Sequence, residues 1–265
     1  MRVQLAILFL FWPGLLWSQT DSASFQFFPE KDYFKSYYTD TRNLFSSVGQ
    51  FDKQDWMLTG GIIAGGALLL TQDKGINRYW EEHSSPFADK TVKYGLEPFG
   101  LLVYPAAITG GLYLHATLKK NNYDRQVALT TVKAMIITSL VTQAGKQLFH
   151  RHRPLQENPG HWDGPIAPFR FRSFPSGHSS LAFSFASVMG HAYNDKPWVA
   201  VASYSAATLA AFARVYENKH YASDIFIGSL LGFYIGKSLW RMNEEKARVH
   251  MSLSSDGIGV QVALD

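Results

Sequence analysis

Three short clusters in this sequence gather cations, histidines and a carboxylate at the ends of apolar segments, where a packed core has no use for them. The first is Lys146 with Arg153-Pro154. Their spacing is two helical turns, so the two cations would share one face, and Pro154 would end the helix. Together they could grip a phosphate, Arg as a planar fork and Lys as a point charge. A basic helix end that complements the macrodipole or flanks a membrane segment has the same composition. The second cluster is Pro175-Ser176-Gly177-His178, directly before the apolar run Ser179 to Tyr193. Pro and Ser suit a helix start, Gly177 lets the backbone approach a ligand, and the free N–H groups there point toward an anion. His178 would stand beside that anion as a candidate general acid, although a capping turn with a satisfied histidine explains the same residues. The third is Arg214, His220 and Asp224. On a helix, residues four apart stack on one face, so Asp224 would accept the His220 N–H, fix the tautomer and leave the other nitrogen free to attack. A surface His–Asp pair is the plain alternative. Three such clusters in one chain are hard to ascribe to coincidence.

Taken together, Lys146-x6-Arg153-Pro154, Pro175-Ser176-Gly177-His178 and Arg214-x5-His220-x3-Asp224 resemble the three-part signature of the type 2 phosphatidic acid phosphatase and vanadium haloperoxidase superfamily. The resemblance runs from about Trp56 to Trp240; one departure is Ala213, where the family pattern often has Ser. It implies that His220 attacks phosphorus to form a phosphohistidine, that Asp224 orients it, and that His178 protonates the leaving oxygen. Lys146, Arg153, Arg214, Ser176 and the Gly177 amide would hold the phosphoryl oxygens, with no metal and no cofactor. Positioning and charge stabilisation dominate phosphoryl transfer, and three cations with a helix N-terminus supply both. Arg151, His150 and His152 read as rim residues or solvated charges. The expected substrate is a phosphorylated membrane lipid such as phosphatidate, phosphatidylglycerol phosphate or a polyprenyl pyrophosphate. A soluble exported acid phosphatase of broad specificity and a vanadate-dependent haloperoxidase are the alternatives; Asp224, four residues after the histidine, is closer to the phosphatase pattern. A nonenzymatic anion-binding module has no use for a His–Asp pair.

Six apolar segments must position these clusters: Trp56 to Gln72, Phe99 to Leu118, Ala134 to Gly145, Ser179 to Tyr193, Trp198 to Ala213 and Ile225 to Gly236. Pro86, Pro98, Pro154, Pro175 and Pro197 fall near their limits, and Lys119-Lys120-Asn121-Asn122 reads as a polar turn. The expected fold is therefore all-α, a six-helix core bundle over residues 56–248, followed by a short β-hairpin over 249–265. In that tail Met251 and Leu253, then Ile258, Val260, Val262 and Leu264, alternate around a turn at Asp256-Gly257. Residues 21–55 are aromatic and polar with no clean period over their whole length, and read as an arm packed on the domain or lying at a membrane surface.

The chain has 265 residues, 46% of them hydrophobic and 17% charged, which suits one domain with a large core and excludes disorder. The absence of Cys rules out disulfides, thiolate metal sites and cysteine nucleophiles. A net charge of +4 decides nothing about partners, and no feature points to nucleic acid. Arg2 followed by the apolar run Val3 to Trp17 reads as an export signal over residues 1–18, cleaved between about residues 18 and 23. Only Phe99 to Leu118 clearly has the length and composition of a membrane span. A cell-envelope enzyme, membrane-embedded or membrane-associated, with its site facing the periplasm is expected. That orientation requires one early helix that does not span, or a domain that merely rests on the membrane, since with the signal cleaved three crossings before Lys146 would leave the site on the cytoplasmic face and put Lys119, Lys120 and Arg125 outside, against the positive-inside rule.

Overall fold

A computed structural model describes residues 31–166, 172–254 and 257–262. Among the described residues there are nine α-helices: α1 (Lys31–Ser46), α2 (Lys53–Glu82), α3 (Pro86–Thr91), α4 (Glu97–Gly100), α5 (Val103–Lys119), α6 (Asn122–Phe149), α7 (Gly177–Ala192), α8 (Pro197–Tyr216) and α9 (Ala222–Arg248). Strands β1 (Val249–Ser254) and β2 (Gly257–Val262) pair antiparallel, with Met251 opposite Val260. The expected export signal, the start of the arm and most of the expected turn at Asp256-Gly257 lie outside the described residues.

Local chemistry starts each long helix. Asp52 accepts from the N–H groups of Gln54 (2.7 Å) and Asp55 (2.9 Å), while the Asp55 carboxylate accepts from Asp52 N–H (3.1 Å), a complete capping box for α2. Asn121 caps α6 by accepting from Asp124 N–H at 3.1 Å, Ser176 caps α7, and Pro197 sits in the first turn of α8. Each of the six apolar segments lies in a helix, but the second is broken. Leu102 takes a left-handed conformation (φ 66°) between α4 and α5, and the α3–α4 stretch meets α5 at a 48° bend. A five-residue π-helical stretch, Val92–Leu96, precedes it. The segment expected to be the clearest span is thus two pieces. Instead α6 and α8 are each long and apolar enough to cross a membrane, with the bent pair a third candidate.

Helix α7 is the centre of the bundle, packed against α6, α8 and α9. Ser180, Ser184 and Ser187 are fully buried and line its contact with α9, which presents Gly228, Gly232 and Gly236. Small residues at four-residue spacing on both helices bring the backbones together. A Cβ at Gly232 would lie 1.9 Å from the Ser180 carbonyl oxygen, so no larger residue fits. Elsewhere Phe99, Phe185, Ile137, Met189, Val199, Leu239 and Trp240 fill the core.

The arm also differs from expectation, because residues 31–46 are helical. Tyr33, Tyr37, Asp40 and Leu44 recur on one face, a period hidden when residues 21–55 are averaged as one stretch. Tyr33 donates to the Leu129 carbonyl (2.9 Å), and the buried Lys133 ammonium on α6 donates to Asp40 (2.8 Å) with the Tyr33 ring centroid 5.2 Å away. These contacts tie α1 to the bundle.

Candidate active site

The C-terminal end of α6, the N-termini of α7 and α9, the C-terminal end of α8 and the short α4 supply the residues expected to do chemistry. Lys146 is buried in the last turn of α6 and donates to the carbonyls of Arg172 (2.7 Å) and Ser173 (3.4 Å). Arg153 does not share its helical face. α6 ends at Phe149 because His150 adopts a left-handed conformation (φ 39°) and returns its N–H to the Lys146 carbonyl, so Arg153 reaches the site on a loop. At the start of α7, the Ser176 hydroxyl accepts from Ser179 N–H (3.5 Å), and Ser176 N–H donates to the Asp224 carbonyl (3.0 Å), which ties α7 to α9. A Cβ at Gly177 would point at the Lys146 side chain, 3.7 Å from its Cε. Backbone and ammonium therefore converge on one place.

His220 is not on a helix face either. It lies in the bend between α8 and α9, and Asp224 is the third residue of α9, where its Oδ2 reaches back to Tyr221 N–H at 3.0 Å. The expected contact still forms, with His220 Nδ1 3.4 Å from Asp224 Oδ2. Ser173 joins them: its hydroxyl donates to Asp224 Oδ2 (2.5 Å) and lies 3.5 Å from His220 Nδ1. Both partners are buried. Burial pushes the His220 imidazole down to about 4, with Asp224 opposing and the Lys146 and Arg153 charges adding to the fall. Burial alone would raise Asp224, but hydrogen bonding to His220 and the Arg151 charge reverse it and hold the carboxyl below its ordinary range. The ground state is a neutral imidazole beside a carboxylate.

His178 stands on the first turn of α7, close against α4: a Cβ at Gly100 would lie 2.8 Å from its Cδ2. Burial, then the nearby Arg214 and His220, push it down to about 3. Its Nε2 is buried with no hydrogen-bond partner among the described residues. Arg214 is buried and held by Glu97 (3.2 Å) and Glu217 (3.0 Å), and the same two carboxylates take Lys219 (3.0 and 3.1 Å). Among the described residues, no group of three or more His, Cys, Asp or Glu is placed to hold a metal ion.

The reading of His150, Arg151 and His152 as rim residues is overturned, for all three are buried. His150 Nδ1 meets the Gly164 carbonyl at 2.8 Å, and His152 Nε2 meets Asp163 at 2.8 Å. Arg151 bridges two buried carboxylates, Asp224 Oδ1 (2.6 Å) and Asp73 Oδ2 (2.7 Å), under the Tyr221 ring, whose centroid lies 4.0 Å away. Sequence reasoning missed Asp73, Ser173, Glu97 and Glu217. A charge-rich turn such as His150-Arg151-His152-Arg153 reads as solvated unless its partners, brought from distant parts of the chain, are known.

The chain is similar to several known proteins. The curated Lipid A 1-phosphatase of Porphyromonas gingivalis is 34% identical over 104 residues, which is 39% of this chain but 21% of that protein, so the chain spans about a fifth of the relative it matches. The crystal structure of LpxE from Aquifex aeolicus aligns with a TM-score of 0.50 at 19% identity, over 64% of this chain and 94% of that one. A PAP2-type phosphatidylglycerolphosphate phosphatase from Bacillus subtilis aligns with a TM-score of 0.48 at 17% identity, over 70% and 95%. Residues 127–248, which carry all eight of the expected site residues, match the family model described as PAP2 superfamily.

Proposed function

We propose that this protein is a metal-independent phosphatase that removes phosphate from a phosphorylated membrane lipid through a phosphohistidine on His220. The observation that carries it is the His220 environment: a buried imidazole with one nitrogen on Asp224 and with Lys146 and Arg153 close enough to depress its pKa. A nucleophile for phosphorus needs a neutral ring, a fixed tautomer and positive charge where the phosphoryl oxygens will sit, and these residues supply all three.

In this reading the Lys146 ammonium, the Arg153 and Arg214 guanidinium groups, the Ser176 hydroxyl and the Gly177 N–H bind the phosphoryl oxygens. His220 Nε2 attacks phosphorus, the bond from phosphorus to the lipid oxygen breaks, and Nδ1–H gives its hydrogen bond to Asp224 as positive charge grows on the ring. His178 hands its proton to the leaving oxygen. Burial is the main cause of the low His178 pKa and the Arg214 charge the next; a bound phosphate dianion offsets the Arg214 charge and so favours the protonated acid when substrate is present. Water then attacks the phosphohistidine, His178 takes its proton, and inorganic phosphate leaves.

The apolar helices α6 and α8 and the relative named Lipid A 1-phosphatase support a lipid phosphomonoester as substrate. Lipid A, which that relative's name specifies, joins phosphatidate, phosphatidylglycerol phosphate and polyprenyl pyrophosphate as a candidate, and a site facing the periplasm of an exported protein is part of the same proposal. The test is phosphate release by detergent-extracted protein with EDTA present, on each of these lipids and on a soluble phosphomonoester. Chelator-resistant, lipid-selective release that His220→Ala abolishes is expected. Equal turnover of the soluble ester would overturn the lipid assignment, and undiminished release by His220→Ala would overturn the mechanism.

A further inference from the structure

We infer that Asp73 and Arg151 are positioning residues for the nucleophile: they lock the Asp224 carboxylate from behind and leave its negative charge available to His220. The inference rests on the reading of His220 as nucleophile.

The geometry is a buried chain. Arg151 Nη1 donates to Asp224 Oδ1 at 2.6 Å and to the Ser223 hydroxyl at 2.7 Å, while its Nη2 donates to Asp73 Oδ2 at 2.7 Å. Asp73 also accepts from Ser223 N–H at 2.9 Å and from the Ser223 hydroxyl. On the other side, Asp224 Oδ2 takes Ser173 and Tyr221 N–H and faces His220. Both carboxylate oxygens are thus fixed, and Oδ2 is the one presented to the imidazole. The members come from α2, the loop after α6, and α9, so the chain ties the first long helix to the catalytic turn. Asp73, Arg151 and Asp224 are each at most 3% exposed.

Charge counting explains why a second carboxylate is present. An arginine paired with Asp224 alone would neutralise it and make it a poor partner for an imidazolium. With Asp73 sharing the guanidinium, the three side chains carry a net charge of −1, and that charge lies where the transition state develops positive charge on His220. A buried Asp–Arg–Asp arrangement is costly to desolvate and contributes little net stability, so its value lies in orientation and field rather than in holding the fold. Asn77, one turn beyond Asp73 on α2, donates to the His220 carbonyl at 3.3 Å and to Asn218 at 2.6 Å, so the same helix also steadies the backbone of the nucleophile.

The test uses the full-length protein in detergent and single-turnover kinetics, whose rate constant does not depend on the fraction of molecules folded. Asp73→Asn keeps shape and most hydrogen bonds but takes the network to neutral; Arg151→Lys keeps charge but loses the fork. Each is expected to lower the rate constant for phosphoryl transfer by about 10- to 100-fold, the scale known for outer partners of metal-ligating residues, which orient their ligand in the same way. Half-saturating substrate concentration and inhibition by inorganic phosphate should stay within about twofold, because the phosphate-binding cations are untouched. In an Asp224→Asn background, Asp73→Asn should cost nothing further, since it acts through that carboxylate; a purely structural contribution would add in both backgrounds. Wild-type rate constants for Asp73→Asn and Arg151→Lys, or additive losses in the double variant, would overturn the inference. If Asp73→Asn does not fold, Arg151→Lys alone decides. Should His220→Ala turn over normally, the proposed function itself fails, which is a separate outcome.

Discussion

Gly232→Ala should damage both the fold and the site, and its cost can be worked from the contact it would make. The added Cβ would stand 1.9 Å from the Ser180 carbonyl oxygen, 2.8 Å from the Ser180 carbonyl carbon and 2.9 Å from Ser184 N. All three neighbours are backbone of α7, so no side chain can rotate aside. Relieving the closest contact to about 3.4 Å, where ordinary packing begins, requires α7 and α9 to part by about 1.5 Å. Overpacking typically costs about 1–3 kcal/mol, and a rigid helix pair belongs at the top of that range. The same shift would pull Ser176 and His178 on α7 away from Asp224 on α9, which the Ser176 N–H to Asp224 carbonyl bond now joins at 3.0 Å. Misplacement of about 1 Å at a reacting centre costs about 100-fold in rate. Thermal unfolding and phosphate release read the two effects. Gly61→Ala on α2 is the control, because nothing lies within 4 Å of its added Cβ, and it should stabilise by about 0.5–1 kcal/mol. A Gly232→Ala protein with wild-type melting temperature and activity would refute the close-packing explanation of how the site is held together.

Further outcomes follow from the electrostatics. Inorganic phosphate or vanadate should raise the His178 pKa from about 3, read by NMR on the ring protons, because the anion offsets the Arg214 charge; an unchanged value would remove the case for His178 as the acid. His220 and His178, at about 4 and about 3, both titrate below their ordinary 6.5, so between those values the unfolded chain binds more protons than the folded one. Stability is therefore full above about pH 6.5 and falls as pH drops toward 4, by up to about 1.4 kcal/mol per pH unit for the buried His220. A melting temperature that stays flat or rises on acidification from pH 7 to 4.5 would contradict this. Glu97→Gln should tighten inhibition by inorganic phosphate, since Glu97 competes with the anion for Arg214 and Lys219, and weaker inhibition would count against that competition.

Much of the candidate site is legible because its cations, histidines and carboxylate are residue types that an apolar helix otherwise avoids. Lys146, His178, Arg214, His220 and Asp224 stand out at helix ends for that reason. The geometry that joins them was less legible. Arg153 and His220 were expected on helix faces, but a left-handed cap at His150 and the start of α9 only at Ala222 put both on loops. Asp73 was invisible, since Gln72-Asp73-Lys74 looks like the polar face of a helix until the fold brings Arg151 onto it. The break at Leu102 was hidden too, because an apolar leucine carries no signal for left-handed backbone. The Gly228, Gly232 and Gly236 series was in plain view, yet its meaning needed the matching serines on α7.

The most direct test is to quench the protein during turnover of a lipid carrying radiolabelled phosphate, under alkaline conditions that preserve phosphohistidine, and to locate the label by peptide mapping. Acid-labile label on the peptide containing His220, formed and lost at rates that account for turnover and absent from His220→Ala, is the expected result. Turnover with no protein-bound phosphate at any time, or with label on another residue, would contradict nucleophilic attack by His220.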